Sequence, residues 1–188
     1  MIEVRIHGRG GQGNVVAAYL LATAAFTEGW YAQAFPAFGA ERRGAPVIAF
    51  ARLNNKVIRR RCQIVSPDFL IIQDEALLHI PGIINGLKPD GRILLNSVRG
   101  SEAFTNILDA RVVTLPATQM AKEYLGRPVP NTALLSAFLN LTGLLPQAAL
   151  VHALEQRFQD KVLEKNLALI EAAAKKVEHN QWQEVANA

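Results

Sequence analysis

Cysteine is the scarcest useful residue in this chain: Cys62 stands alone among 188 residues. One thiol forms no intramolecular disulfide. It holds no iron–sulfur cluster and no thiolate zinc site from this chain's own residues. A reducing, cytoplasmic setting is the expectation that follows. No G-x-S-x-G elbow and no G-K-[ST] loop occurs, so neither the α/β-hydrolase nor the Walker-type pattern applies. The four histidines (His7, His79, His152, His179) are scattered without metal-ligand spacing. The longest apolar stretch, Val15 to Phe26, has 12 residues including Tyr19 and Thr23, too short to span a bilayer. Glu3, Arg5, His7 and Arg9 fall within the first nine residues, which leaves no signal-peptide apolar region there.

What is present points to a globular chain. Hydrophobic residues are 50% and charged residues 19%, against disorder. The length suits a single domain, 1–188, with room for a real core. Net charge is +4, yet residues 1–61 alone carry +6 and the remainder −2. The gathered positive charge suits an anionic ligand or an acidic partner, or a solvated face.

Near the start, Gly8-Arg9-Gly10-Gly11-Gln12-Gly13 follows the short run Glu3-Val4-Arg5-Ile6-His7 and precedes the apolar stretch. This reads as strand 3–7, glycine loop 8–13 and helix 14–28, with Gly29 as C-cap. Gly8, Gly10 and Gly13 fit G-x-G-x-x-G. The pattern permits a tight turn that presents helix-N-terminal N–H groups to an anion, and it also arises where a helix packs closely on a strand. Both readings stand at this point.

Tyr31 onward begins as a strand and turns into loop at Pro36 and Gly39. Val47 to Leu53, an Asn54-Asn55 turn and Val57 to Cys62 predict a basic β-hairpin, with Arg59, Arg60 and Arg61 on an edge or interface strand. Phe69 to Gln73 reads as a buried parallel strand, Arg92 to Asn96 and Arg111 to Leu115 as two more, with a short helical patch at 75–80. Strands alternating with helical segments predict an α/β, mostly parallel sheet with flanking helices. From Pro116 the chain becomes a helical C-terminal part. Asn131 is the expected N-cap of one helix, and Pro146 opens another. The last long helix carries Val162, Leu163, Leu167, Ile170, Ala174 and Val177 as an apolar stripe, for core or docking. The polar tail after Asn180 is expected to fray.

A nicotinamide site requires an acid at the end of its second strand, and none lies between Gln33 and Phe35. His7 is read as structural and Cys62 as a buried structural thiol. The arginine-rich hairpin with Phe35, Phe38 and Phe50 has the residues of a nucleic-acid surface. Its basic excess is only local, so no nucleic-acid partner is expected.

Three segments together resemble the gamma subunit of 2-oxoacid:ferredoxin oxidoreductases: Val4 to Gly13; Ala34-Phe35-Pro36 with Gly39; and Glu41-Arg42-Arg43-Gly44-Ala45-Pro46-Val47. The likeness extends to Gln73-Asp74, Val129-Pro130-Asn131-Thr132 and Lys165-Asn166. It implies a Rossmann-like fold and a part in an enzyme complex of EC 1.2.7 type, inactive as a lone chain. Such enzymes convert a 2-oxoacid and coenzyme A to acyl-coenzyme A and carbon dioxide, passing electrons to ferredoxin. Thiamine diphosphate, magnesium and [4Fe-4S] clusters would reside in alpha, beta and delta-type partner subunits. The form of Glu41 to Val47 resembles the pyruvate and branched-chain branch, with pyruvate first and 2-oxoisovalerate second. A stand-alone nucleotide-binding protein is the alternative. The resemblance implies no catalytic residue and no metal ligand here. Gly8, Arg9, Gly10, Gly11, Gln12, Gly13, Arg42 and Arg43 are the expected residues lining the coenzyme A approach, or packing against a partner. No membrane partner is expected.

Overall fold

The computed structural model describes residues 1–37, 44–108 and 111–187. Six strands form one sheet: β1 (Ile2–Arg9), β2 (Tyr31–Pro36), β3 (Pro46–Asn54), β4 (Phe69–Ile72), β5 (Arg92–Asn96) and β6 (Val112–Leu115), in the order β2-β3-β1-β4-β5-β6. β1, β4, β5 and β6 run parallel, while β2–β3 and β3–β1 are antiparallel. The helices are α1 (Asn14–Thr27), α2 (Thr105–Leu108), α3 (Ala117–Leu125), α4 (Asn131–Thr142), α5 (Gln147–Glu155), α6 (Asp160–Ala174) and α7 (Gln183–Ala186). The expected helical patch after β4 is a 3-10 helix, Glu75–His79.

Alternation along each strand sorts the two faces. Val4, Ile6, Ala49, Ala51, Leu53, Phe69, Ile71 and Leu94 join α1 and the C-terminal helices in one core. Leu70, Ile72, Ile93 and Leu95 point the other way, onto Leu77, Phe104 and Leu108. One face therefore carries the long helices and the other a thin cover. Under β1 and β3 that second face is polar. Glu3, Arg5, His7 and Arg52 are all buried there. Arg5 donates to the carbonyls of Ile83 and Asn85, and Arg52 to that of Cys62. Half-buried Gln33 donates to that of Ile58. These side chains satisfy carbonyls that irregular covering chain leaves without a ladder.

Some expectations need correction. Residues 57–62 form no strand: both edges of β3 are taken, by β1 and by β2, so the hairpin is β2–β3 and Arg59, Arg60 and Arg61 lie on exposed irregular chain. Cys62 is exposed, carried outward on that same segment, and not a buried thiol. The tail docks. Trp182 is 4% exposed, stacks at 6.1 Å on Phe69, and donates its backbone N–H to Leu141 at 2.7 Å. The expected stripe on α6 is largely core: Ile170 is buried and Leu163, Leu167 and Val177 pack against the core, with Asn166, Leu169 and Ala173 on the same inner side, while Val162 is exposed. Leu167 and Ala174 line an open apolar groove of about 400 Å³ against α5. Val177 lies beyond the end of α6. Asn131 is the first residue of α4, not its cap, and its Oδ1 accepts from the Thr132 N–H.

Candidate functional site

The chain leaves β1 toward β2 and β3 on one side and returns to β4 on the other. The carboxyl ends of β1 and β4 therefore flank a topological switch point, where open α/β sheets bind ligands. The glycine loop sits there. It closes on itself through Gln12 N–H to the Arg9 carbonyl (3.0 Å) and Arg9 N–H to Gln12 Oε1 (2.7 Å). Two further bonds tie it to the start of β3: Gly10 N–H to Ala45 (2.9 Å) and Gly44 N–H to Gly10 (3.3 Å).

The glycines divide their work. A Cβ on Gly8 would lie 2.4 Å from Asn14 Oδ1, and one on Gly13 would lie 2.5 Å from Asn131 Nδ2. Gly8 and Gly13 are thus demanded by packing. Gly11, at φ +99, has open space where a side chain would be. Gly13 is left-handed at φ +79 and gives α1 no side-chain cap. The first N–H groups of α1 therefore lack intrahelical acceptors, and the first turn holds no acidic residue. A cleft of about 280 Å³ opens here, lined by Arg9, Gly10, Gly11, Gly13, Asn14, Val15, Val16 and Val47. Asn14 Oδ1 is buried on its wall and has no partner among the described residues. This arrangement can receive an anion.

Arg9 is held between two strand ends. Its Nε lies 2.6 Å from Asp74 Oδ2, and its Nη1 donates to Gly44. Asp74 also caps the 3-10 helix by accepting from the Ala76 N–H. Beyond Asp74 a polar cleft of about 310 Å³ is lined by Gln12, Gln73, Glu75, Asn96, Ser97 and Thr118. Gln73 is fully buried, and neither its Oε1 nor its Nε2 finds a partner among the described residues. Arg42 and Arg43 lie outside the described residues.

The acid that a nicotinamide pattern would place near Gln33 has its nearest counterpart in Asp74, at the end of β4. The parallel neighbour of β1 is β4, reached only after the β2–β3 excursion, so the acid at a strand end falls far later in sequence. It is paired with Arg9 rather than free for a ribose. The sequence signal was Asp74 directly after an apolar run.

His7 faces inward, as a structural residue does. Its Nε2 accepts from Arg5 Nε at 2.8 Å. Burial, then the neighbouring Arg5 charge, pushes its pKa down to about 3. The imidazole is neutral at pH 7. His152 and His179 are exposed, bonded to Glu155 and Asn140.

Among the described residues, no three His, Cys, Asp or Glu side chains converge as metal ligands. With a single thiol, the donor set does not fit an iron–sulfur cluster.

A family model described as pyruvate ferredoxin/flavodoxin oxidoreductase matches residues 3–176. The chain is 47% identical over 180 residues to pyruvate synthase subunit PorC of Methanothermobacter marburgensis, covering 96% of this chain and 99% of the relative. It is 44% identical over 181 residues to the common gamma subunit of pyruvate/ketoisovalerate oxidoreductases of Pyrococcus furiosus, covering 95% and 98%. The crystal structure of pyruvate oxidoreductase subunit PORC from Thermotoga maritima superposes with a TM-score of 0.84 at 34% identity, covering 93% of this chain and 95% of that one.

Proposed function

This chain belongs to the pyruvate ferredoxin/flavodoxin oxidoreductase family, and we propose from that premise that it is the gamma subunit of a pyruvate or branched-chain 2-oxoacid:ferredoxin oxidoreductase. The single observation carrying this reading is near-complete, end-to-end similarity to subunits bearing those names. The complex would oxidise a 2-oxoacid with coenzyme A to acyl-coenzyme A and carbon dioxide, reducing ferredoxin. Pyruvate is the first substrate and 2-oxoisovalerate the second. Thiamine diphosphate, magnesium and the [4Fe-4S] clusters are assigned to alpha, beta and delta-type partners, and no redox or decarboxylation step is routed through this chain's side chains. A cytoplasmic location accords with the single exposed thiol. No helix among the described residues is long and apolar enough to cross a membrane.

The chain's own contribution is to line the coenzyme A approach at the switch point. Arg9, the open Gly11 and the uncapped start of α1 supply positive potential and backbone donors suited to a pyrophosphate. Gly10 and Gln12 shape that turn, and Arg42 and Arg43 are assigned to the same approach. In the assembled enzyme, Arg9→Ala should raise the KM for coenzyme A on the order of tenfold, with the 2-oxoacid KM unchanged. Arg42→Ala with Arg43→Ala should act in the same direction. Steady-state kinetics decides: loss of assembly with both KM values intact in the residual complex would make these arginines packing residues.

A further inference from the structure

The two edges of the sheet are finished differently. At one edge β6 has four residues, and its Thr114 N–H donates to Ser101 Oγ at 3.2 Å. At the other edge β2 is left open. Its pairing with β3 decides which backbone groups face outward. Ala37 N–H donates to the Ile48 carbonyl, which continues the β2–β3 register by one step, so Tyr31, Gln33 and Phe35 turn their N–H and C=O groups to β3. The N–H and C=O groups of Ala32 and Ala34 and the Pro36 carbonyl point away from the sheet. None of them has a partner among the described residues. Free edges are ordinarily blunted by charge, a bulge or a covering element. β2 reads Tyr-Ala-Gln-Ala-Phe-Pro, with no charged residue and its proline only at the end.

The helix beside that edge is uncovered too. α1 has no charged residue from Asn14 to Thr27. A helix apolar all round belongs in an interior. α4, also uncharged, obeys: eleven of its twelve residues are buried. α1 does not. Tyr19 and Phe26, seven apart and therefore on one helix face, are 47% and 76% exposed. α1 lies directly on β2, where Ala32 and Ala34 join its core, so helix and open edge adjoin.

The opposite face of β2 is bordered by positive charge. Gln33 Nε2 donates to the Ile58 carbonyl at 3.3 Å, which holds the exposed run Arg59-Arg60-Arg61 close to this strand. We propose that β2 receives a strand from a partner subunit, with apolar side chains toward Tyr19 and Phe26 and acidic ones toward Arg59 to Arg61. Period-two alternation in one strand supplies both faces, and the backbone groups of Ala32, Ala34 and Pro36 supply the ladder. A second copy of this chain does not suit the edge. Two β2 strands paired about a two-fold axis normal to the sheet would bring both arginine runs onto one face, where they repel. The assignment rests on the subunit reading above and is independent of the coenzyme A reading.

Amide hydrogen exchange, read by mass spectrometry on wild-type protein, tests the edge directly. In the assembled complex the Ala32 and Ala34 amides should exchange at least about tenfold more slowly than in the purified chain. Equal rates in the two states overturn the proposal. Ala34→Pro removes a donor that no described group of this chain accepts, in extended edge backbone that admits proline. It should weaken binding of the purified chain to the remaining subunits on the order of tenfold, with the chain's own melting midpoint held. Phe26→Lys, at an exposed position, and Arg59→Glu/Arg60→Glu/Arg61→Glu should weaken it in the same direction. Unaltered affinity in the proline variant, or in both of the others, overturns the assignment. So does a purified wild-type chain that sediments as a dimer and becomes monomeric with Ala34→Pro, since the occupant is then a second copy. The subunit reading is judged separately. If the wild-type chain binds none of the other subunits, both fall; if it binds them while Ala32 and Ala34 exchange as fast as before, only the strand assignment falls.

Discussion

Among single residues, the buried polar layer under β1 and β3 holds the largest individual stakes. His7 keeps a folded pKa of about 3 against an ordinary 6.5, because burial and Arg5 exclude its proton. The unfolded chain takes up that proton and the native state does not. Stability is therefore complete above about pH 6.5 and falls as pH drops toward 3, by up to about 1.4 kcal/mol per pH unit. His7→Gln should flatten this acid limb. Urea midpoints from pH 7.5 to 4.5 would show it, and parallel wild-type and variant curves would refute it. The pair Glu3–Arg52, at 2.7 Å and with side chains 8% and 1% exposed, gives the second expectation. Glu3→Leu leaves a buried guanidinium without its counter-charge and should cost about 3–5 kcal/mol in equilibrium unfolding. Adding Arg52→Met should recover part of that loss, because the stranded charge goes with it.

Secondary elements differ in how plainly the sequence announces them. β4 and β5 are short apolar runs, and α1 lies between Gly13 and Gly29, so composition and punctuation suffice. The basic hairpin misleads for a pairing reason. Val57 to Cys62 looks like a partner for β3, but a strand has two edges, and β1 and β2 occupy both. Such competition for edges is decided by long-range contacts that local pattern does not contain. The tail misleads for a compositional reason: Asn180 to Asn187 is mostly polar, and one indole outweighs its neighbours. Trp182→Ala should cost about 3–5 kcal/mol, as for other buried large aromatics. Thermal melts of the purified variant would measure it, and an unchanged midpoint would restore the frayed tail.

For the molecule as a whole, the glycine loop is legible in the sequence, whereas nothing in the order of residues puts Asp74 across the crevice from it. The β2–β3 excursion places about 60 residues between them, while the sheet makes β1 and β4 neighbours. Charge shows a similar gap between count and placement. Arg5 and Arg52 add to the basic excess of residues 1–61 yet are buried, so Arg59, Arg60 and Arg61 carry much of what solvent meets. The donor inventory leads to one expectation at this scale. The purified chain by itself should reduce no viologen dye with pyruvate and coenzyme A, whereas the reconstituted complex should. Turnover by the lone chain would end the subunit reading.

The stacking of Trp182 on Phe69 bears on how the protein is made. Phe69 leaves the ribosome more than a hundred residues ahead of its indole partner Trp182. Until Trp182 is made, the aromatic surface of Phe69 stays open to chaperones and proteases, and a transcript cut short before that codon would release a polypeptide unable to seal it.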